Sequence, residues 1–209
     1  NLILVRHGQS QWNLENKFTG WYDADLTDVG KIEAKKAGQL INKLNLEFYF
    51  GYTSFQKRAI NTLNILINEN SIKIPNIKKA WQLNERHYGG LQGLNKSETA
   101  EKHGKEQVRI WRRSYDVRPP SQDREDPNHP VNSTVYKDID QDLIPDCESL
   151  KDTYNRTIPY YEKEIIPKLL EKNNILISAH GNSLRALCKK VFNISDNMIT
   201  RLEIPTGNP

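Results

Sequence analysis

The sequence predicts an α/β fold, a three-layer sandwich in which helices cover both faces of a mostly parallel central sheet. Short apolar runs containing β-branched residues alternate along the chain with segments whose apolar residues recur at helical spacing. Such uninterrupted apolar runs are typical of parallel strands that are buried on both faces. The length of 209 residues suits one domain, which we expect to span residues 1–209.

The first half of the chain contains three predicted strands. Residues 2–5 form an apolar run that stops at a glycine-containing turn, and residues 48–53 and 77–83 predict the second and third strands. Thr27 is a suitable N-cap for a helix that stops near Asn45. The apolar residues of that helix that recur at helical spacing are Val29, Ile32, Ala37, Leu40, Ile41 and Leu44. A second helix is predicted over residues 59–67.

The second half begins with a segment of different composition. Residues 119–142 are rich in Pro, Asp, Asn and Ser, which indicates a long surface excursion. Residues 148–170 predict a helix that Pro159 and Pro167 kink or divide. A buried strand over residues 175–179 follows, and then a helix over residues 184–191.

Composition excludes several classes of protein. Cys147 and Cys188 are the only cysteines and form no CxxC pair, so a disulfide scaffold and a structural zinc site are not expected. The longest apolar runs fall far short of the roughly 20 residues that span a bilayer. The net charge of +4 favours anionic partners, but no broad basic stripe predicts binding to nucleic acid.

Two histidines follow predicted strands in matching positions. His7 and His180 each come after an apolar run and directly before a glycine. Ligands of open α/β sheets collect beyond the carboxyl ends of the strands. Neighbouring strands would therefore bring both imidazoles to one edge, although a single loop histidine is more often structural.

Arginines near these histidines indicate an anion site. Arg6 precedes His7, and Arg58 lies in the first turn of the helix after the second strand. A neutral imidazole is a competent nucleophile toward phosphorus, and guanidinium groups neutralise phosphoryl oxygens. We therefore expect His7 to become phosphohistidine.

Phosphoryl transfer also needs a proton donor and acceptor, for which Glu85 is the candidate. An ion pair between Glu85 and Arg86 is the alternative interpretation. A further basic group could hold a second anionic group of the substrate, namely Lys96, Arg112 and Arg113. The alternative for Arg112 and Arg113 is a solvated helix face.

Eight motifs resemble the histidine phosphatase superfamily and, within it, the cofactor-dependent phosphoglycerate mutases. The matching segments are residues 4–8 (LVRHG) with Ser10, Trp12 and Asn13, 18–21 (FTGW), 53–54 (TS) with 57–59 (KRA), 83–89 (LNERHYG), 93–96 (GLNK), 110–115 (IWRRSY), 148–152 (ESLKD) and 179–183 (AHGNS). The RHG element marks only the superfamily, whereas Glu85 together with residues 111–113 marks the mutases and their bisphosphoglycerate relatives.

The resemblance implies a role for each matching residue. His7 corresponds to the phosphorylated nucleophile, Arg6, Arg58 and His180 to its phosphoryl cradle, and Glu85 to the proton donor and acceptor. Four residues resemble groups that close around the phosphates, namely Ser10, Asn13, Gly181 and Asn182. The contacts to the glycerate carboxylate and the second phosphate would come from Thr19, Gly20, Arg86, Tyr88, Lys96, Arg112 and Arg113.

The implied reaction interconverts 2-phosphoglycerate and 3-phosphoglycerate in glycolysis and gluconeogenesis, with 2,3-bisphosphoglycerate as the primer of phospho-His7. The resemblance implies a cytoplasmic isomerase that uses no metal and forms a homodimer or homotetramer. A bisphosphoglycerate mutase, a sugar-bisphosphate phosphatase and a non-catalytic anion-binding protein on the same fold are the alternatives.

The sequence departs from the family in three places. Residues 132–142 form a shorter stretch than their family equivalent. Gln9 stands where the family usually has glutamate, and we expect it to preserve the hydrogen bonding of that position. Members of the family continue beyond the counterpart of Pro209 into a further strand and a tail that folds over the site. Without that tail, we expect water to reach phospho-His7 more easily and phosphatase side activity to rise.

Overall fold

Four parallel strands form the centre of the fold in a computed structural model that describes residues 1–209. Their order across the sheet is β1-β4-β2-β3. The bounds are β1 Leu2–Arg6, β2 Phe48–Thr53, β3 Asn76–Lys79 and β4 Asn174–Ala179. β4 pairs on both sides, with Arg6 opposite Ala179 and Ser178 opposite Thr53, so the carboxyl ends of β1, β4 and β2 lie at one edge. The predicted parallel sheet is therefore confirmed.

Helices follow each strand and cover the sheet. Their bounds are α1 Gln11–Leu14, α2 Asp28–Asn42, α3 Lys57–Asn68, α4 Lys96–His103, α5 Lys105–Arg113, α6 Leu150–Tyr160, α7 Ile166–Leu170, α8 Gly181–Val191 and α9 Asp196–Ile199. A π-helical segment, Tyr161–Ile165, joins α6 to α7. No helix combines the length and the apolar character that a membrane span requires.

Alternating side chains of β4 point into two separate apolar cores. Ile175 and Ile177 pack with residues of α6 and α8, including Ile158 and Leu187. Leu176 packs with residues of α2 and α3 on the other face of the sheet. Since both faces are covered, the three-layer architecture is confirmed.

Helix α2 buries a different face from the one that the sequence analysis predicts. Val29, Ile32, Leu40 and Leu44 are 53%, 55%, 45% and 50% exposed, while Ala37 and Ile41 are buried as expected. The buried side is completed by small residues, namely Gly30, Ala34 and Gly38. Gly30 allows the helix to lie close to the backbone of the loop after β1, and Gly38 allows it to lie close to the end of α3. Counting large apolar residues does not detect these close approaches.

The third predicted strand, residues 77–83, is too long. β3 ends at Lys79, and Trp81–Leu83 forms a 3-10 turn closed by a hydrogen bond from Leu83 N to Ala80 O. An apolar run alone does not distinguish a strand from a short turn whose last side chain returns to the core. The turn directs the following residues toward the carboxyl edge of the sheet.

Residues 148–170 are helical almost throughout and are divided between the two prolines, as predicted. Pro159 lies inside α6, and the irregularity is the π-helical segment after it, before Pro167. The sequence analysis missed α1, α4, α5 and α9. Helix α4 has a single apolar residue, Ala100, so no helical periodicity marks it.

The excursion over residues 119–142 contains no α-helix or strand, as expected. It is not purely a surface segment, because its short 3-10 turns place Tyr136 against Trp21 and Ile144 in a small apolar cluster. Its His129 is also fully buried, with a ring centroid 5.8 Å from that of His87. The excursion therefore packs against the segment that follows β3 and contains His87.

Candidate active site

His7 and His180 lie side by side at the carboxyl edge of the sheet. They directly follow β1 and β4, which are neighbouring strands, and their ring centroids are 4.9 Å apart. Both side chains are buried, with exposures of 2% and 0%. The strand positions alone placed these imidazoles together, as the sequence analysis expected.

The hydrogen bond of His7 fixes which ring nitrogen carries the proton. Its Nδ1 lies 2.7 Å from Gly8 O, and because a carbonyl only accepts, Nδ1 must donate. Burial, followed by the charges of Arg58 and Arg6, holds the pKa of His7 well below its usual value. The ring is therefore neutral, and Nε2 carries the lone pair of a nucleophile.

His180 makes its hydrogen bond through the other ring nitrogen, Nε2. Ser54 Oγ accepts a hydrogen bond from Gln56 N at 3.1 Å, and its own hydroxyl proton is free to donate to His180 Nε2 at 2.7 Å. Burial and the Arg58 charge also lower the pKa of His180. Nδ1 has no partner within the protein, and it carries the ring hydrogen in the tautomer in which Ser54 donates to Nε2. His180 can thus donate a hydrogen bond to a bound oxyanion.

Arg58 is a buried cation held by two carbonyl groups. It is 1% exposed and donates to Gly20 O and Tyr22 O, each at 2.8 Å. Burial lowers its pKa to about 10, so it stays charged at neutral pH. Arg6 donates to Ile204 O at 2.7 Å and keeps its Nε without a partner. The two guanidinium groups place positive charge beside both imidazoles.

Glu85 is buried on the same cavity and is held by amide groups. Its Oε1 accepts from Arg86 N at 2.8 Å and from Asn182 N and Nδ2 at 3.1 and 2.8 Å. Burial, the largest influence, raises the pKa of Glu85, but these hydrogen bonds and the charges of Arg58 and Arg6 outweigh it and bring the pKa below its ordinary value. Glu85 is therefore ionised, as a carboxylate.

The alternative ion pair between Glu85 and Arg86 is not formed. The Arg86 guanidinium stacks on the ring of Tyr88, 4.5 Å from its centroid, and donates to Arg112 O at 3.1 Å. The only group of Arg86 that bonds to the Glu85 carboxylate is its backbone N–H. Glu85 is thus free to act on a molecule in the cavity.

The cavity at this edge has a volume of about 260 Å³ and is strongly cationic. Its lining contains the predicted residues Arg6, His7, Asn13, Thr19, Gly20, Arg58, Glu85, Tyr88, Lys96, Arg112, Arg113, Gly181 and Asn182. Lys96, Arg112 and Arg113 come from α4 and α5 and line the same cavity as His7. The alternative of a solvated helix face therefore does not hold for Arg112 and Arg113.

Three predicted residues do not line the cavity. His180 is fully buried against the ring of His7. Ser10 caps α1, its hydroxyl accepting from Asn13 N at 3.3 Å, and it positions Asn13 rather than facing the cavity. Arg86 lies behind Tyr88 and is fully buried. Gln9, beside the nucleophile, accepts through Oε1 from the hydroxyl of Thr27, the N-cap of α2, at 2.9 Å.

Four further lining residues were missed by the sequence analysis, namely Lys17, Arg185, Glu203 and Ile204. Arg185 stands one helical turn after Asn182 on α8 and donates to its Oδ1 at 3.2 Å, a spacing that could have identified it. Glu203 pairs with Arg113 at 2.6 Å and lies 3.6 Å from Arg185. No local pattern marks Glu203, because only the tertiary fold brings it to the cavity.

Arg156 also went unnoticed, although it holds the Glu85 segment from behind. It forms a buried ion pair with Glu148 at 2.6 Å and donates to the carbonyl groups of Gln82, Asn84 and Glu85. By donating to several carbonyl groups at once, the Arg156 guanidinium restricts the movement of the segment that carries Glu85.

Together these groups can perform phosphoryl transfer. A neutral imidazole nucleophile, buried guanidinium groups and a carboxylate surround a cavity large enough for a small phosphorylated molecule. A second cationic wall can bind another anionic group of the same molecule. The chain contains no cluster of three or more His, Cys, Asp or Glu side chains arranged for metal binding.

Comparison with known families agrees with this geometry. The family described as histidine phosphatase superfamily (branch 1) matches residues 2–135. A 2,3-bisphosphoglycerate-dependent phosphoglycerate mutase of Pelagibacter ubique is 56% identical over 209 residues, which are 100% of this chain and 87% of that protein. A protein of the same name from Hydrogenobaculum sp. is 52% identical over 208 residues, covering 100% of this chain and 84% of its own length.

Solved structures support the fold at lower identity. A mycobacterial glucosyl-3-phosphoglycerate phosphatase superposes with a TM-score of 0.74 at 18% identity, covering 98% of this chain and 86% of its own. At this identity the likeness concerns the fold alone.

Proposed function

The chain belongs to branch 1 of the histidine phosphatase superfamily, and from this premise we propose that it interconverts 2-phosphoglycerate and 3-phosphoglycerate through phospho-His7. The phosphoryl group would come first from 2,3-bisphosphoglycerate. The proposal makes the chain a phosphoglycerate mutase, an isomerase of glycolysis and gluconeogenesis.

One observation carries this proposal, the cavity in which a neutral histidine nucleophile and a second cationic wall face the same small volume. A simple phosphatase needs only the first part, whereas a bisphosphate that must present either phosphate to His7 needs anion binding at both ends. Relatives at 56% and 52% identity over essentially the whole chain carry the name of this activity.

In the proposed cycle, Glu85 begins as a base. With phospho-His7 in place, the Glu85 carboxylate takes the proton of the substrate hydroxyl as that oxygen bonds to phosphorus and the bond between phosphorus and His7 Nε2 breaks. The bisphosphate then reorients. Nε2 attacks the other phosphate, and the protonated Glu85 returns its proton to the departing oxygen. The lowered pKa of Glu85 suits this starting state.

The remaining residues would bind and orient the substrate. Arg6, Arg58 and the Nδ1–H of His180 would hold the phosphoryl group during transfer, and Asn13, Gly181 and Asn182 would close around it. The carboxylate and second phosphate would lie against the other wall, formed by Thr19, Gly20, Tyr88, Lys96, Arg112 and Arg113. Ser10 and Arg86 would not contact the substrate. Ser10 would position Asn13, and Arg86 would position Tyr88.

Several properties follow from the proposal. Arginine and histidine supply the charge that a metal would otherwise provide, so we propose that no metal is needed. We propose one catalytic domain over residues 1–209, a cytoplasmic location in keeping with glycolysis, and a homodimer or homotetramer. Small phosphorylated acids are the proposed partners, and neither nucleic acid nor a membrane has a role.

The proposal is tested by following conversion of 3-phosphoglycerate to 2-phosphoglycerate with EDTA present, with and without a trace of 2,3-bisphosphoglycerate. We expect conversion that depends on the bisphosphate and is unaffected by EDTA. Release of inorganic phosphate in place of 2-phosphoglycerate would instead make the chain a phosphatase.

A further inference from the structure

Gln56 is a fully buried amide that joins two walls of the cavity. It is the N-cap residue of α3, and its side chain has 0% exposure. Its Oε1 accepts from Glu85 N at 2.8 Å, and its Nε2 donates to Gly20 O at 2.8 Å. A buried amide whose two ends are used in this way fixes the spacing between the two segments it bridges.

The two hydrogen bonds of Gln56 are not equivalent. Gly20 O also accepts from Arg58 Nη2 at 2.8 Å, so that carbonyl stays paired without Gln56. Glu85 N has Gln56 Oε1 as its only acceptor. The Glu85 carbonyl is held separately, by Trp21 Nε1 at 2.6 Å and Arg156 Nη2 at 2.9 Å.

Gln56 therefore supplies the only hydrogen bond to Glu85 N, while Arg156 Nη2 holds the carbonyl of the same peptide, Asn84 O, at 3.1 Å. Because a buried N–H without a partner is unfavourable, this peptide would rotate about its contact with Arg156 to find one if Oε1 were removed. This rotation would move the Cα of Glu85 and with it the carboxylate. Displacement of a reacting group by about 1 Å can cost about 10²-fold in rate.

From this geometry we infer that Gln56 is a positioning residue for proton transfer by Glu85. Gln56 does not line the cavity, so it acts through the Glu85 backbone and not on the substrate. The inference rests on the proposed function, since it assigns Gln56 to the step in which Glu85 exchanges a proton with the substrate oxygen.

The test is single-turnover phosphorylation of the protein by labelled 2,3-bisphosphoglycerate. In this experiment the amplitude counts correctly folded molecules, the rate constant reports the chemical step, and the half-saturating concentration reports binding. Gln56→Met keeps the length of the side chain but removes both strong hydrogen bonds. Gln56→Glu keeps the acceptor for Glu85 N. Gln122→Met makes the same change at a buried glutamine of the excursion, away from the cavity.

For Gln56→Met we expect the rate constant to fall about 10-fold or more while the half-saturating concentration stays within about threefold of the wild-type value. The rate constant of Gln56→Glu should be at least about fivefold higher than that of Gln56→Met, because the Glu side chain still accepts from Glu85 N. Gln122→Met should match the wild type in rate constant.

A Gln56→Met rate constant within about threefold of the wild type would overturn the inference, and so would a loss confined to amplitude or to binding. If Gln56→Met does not fold, a Gln56→Glu rate constant about 10-fold below the wild type would overturn it, and one close to the wild type would support it. Wild-type protein that takes up no label would instead contradict the proposed function.

Discussion

At the scale of single residues, hydrogen bonds decide which form of each catalytic group is present. Gly8 O makes Nδ1 the protonated nitrogen of His7, whereas the hydroxyl of Ser54 can donate to Nε2 of His180 and leave the hydrogen of that ring on Nδ1. Two neighbouring imidazoles thereby acquire different chemistry, one as a nucleophile and the other as a hydrogen-bond donor. Burial between two arginines keeps both rings neutral.

Glu85→Gln should lower mutase turnover by about 10²-fold or more, because the amide neither accepts nor returns the substrate proton. Steady-state conversion of 3-phosphoglycerate measures this loss. Glu101→Gln, on the exposed side of α4, is the control and should behave as the wild type. Unchanged turnover of Glu85→Gln would remove Glu85 from the reaction.

Glu203 places a carboxylate where an anionic substrate group is expected to bind. It pairs with Arg113 at 2.6 Å and is 65% exposed at its side chain. An exposed pair of this kind is worth up to about 1 kcal/mol, so Glu203→Gln should lower KM for 3-phosphoglycerate by about two- to fivefold. Glu162→Gln removes an exposed pair with Lys190 elsewhere and should leave KM unchanged. A raised KM in Glu203→Gln would show that the carboxylate assists binding.

At the scale of elements, the loop that carries His7 depends on a close approach of backbones. A Cβ at Gly30 would lie 2.1 Å from Gln9 O, and one at Gly8 would lie 2.1 Å from Gly30 O. Both neighbours are backbone atoms that cannot rotate away. The beginning of α2 therefore supports the loop after β1 only because both positions are glycine.

Gly30→Ala should therefore reduce the free energy of unfolding by about 1–3 kcal/mol, the usual range for an overpacked site. It should also lower turnover, since the displaced loop holds His7. Urea unfolding and the mutase assay measure the two effects. Lys36→Ala, on the exposed face of the same helix, should change neither. A more stable Gly30→Ala protein would mean that helix propensity outweighs the contact.

The order of strands and helices could be predicted from the sequence because apolar periodicity reports burial directly. The same argument placed His7 and His180 at one edge, since both end apolar runs. It failed for α4, where a polar surface helix has no apolar period, and for the buried face of α2, which is formed by small residues. Gln56, Arg156 and Glu203 act through contacts distant in sequence, which no local pattern reveals.

At the scale of the whole molecule, buried neutral histidines couple stability to pH. Burial lowers the pKa of His7 and His180, and it lowers that of His87 from 6.5 to about 3, with His129 and Arg156 contributing. On unfolding, each imidazole returns to its ordinary pKa. The unfolded chain therefore binds more protons below pH 6.5, and the native state is destabilised as pH falls.

We expect the free energy of unfolding to decrease from about pH 6.5 downward, by up to about 1.4 kcal/mol per pH unit for each such histidine. Urea denaturation at a series of pH values gives the change of the free energy of unfolding with pH. This slope should correspond to the uptake of about two protons or more when the protein unfolds. Stability that is constant between about pH 7 and pH 5 would contradict the assignment of neutral, buried rings.

The central claim is that His7 carries the phosphoryl group between the two positions of the substrate. The most direct measurement is to label the protein with 2,3-bisphosphoglycerate bearing radioactive phosphate, map the labelled peptide, and then chase with unlabelled 3-phosphoglycerate. We predict acid-labile, base-stable label on His7 that passes into bisphosphoglycerate and phosphoglycerate during the chase, and no label in His7→Ala. Label retained in His7→Ala, or label on His7 that 3-phosphoglycerate does not remove, would contradict the account.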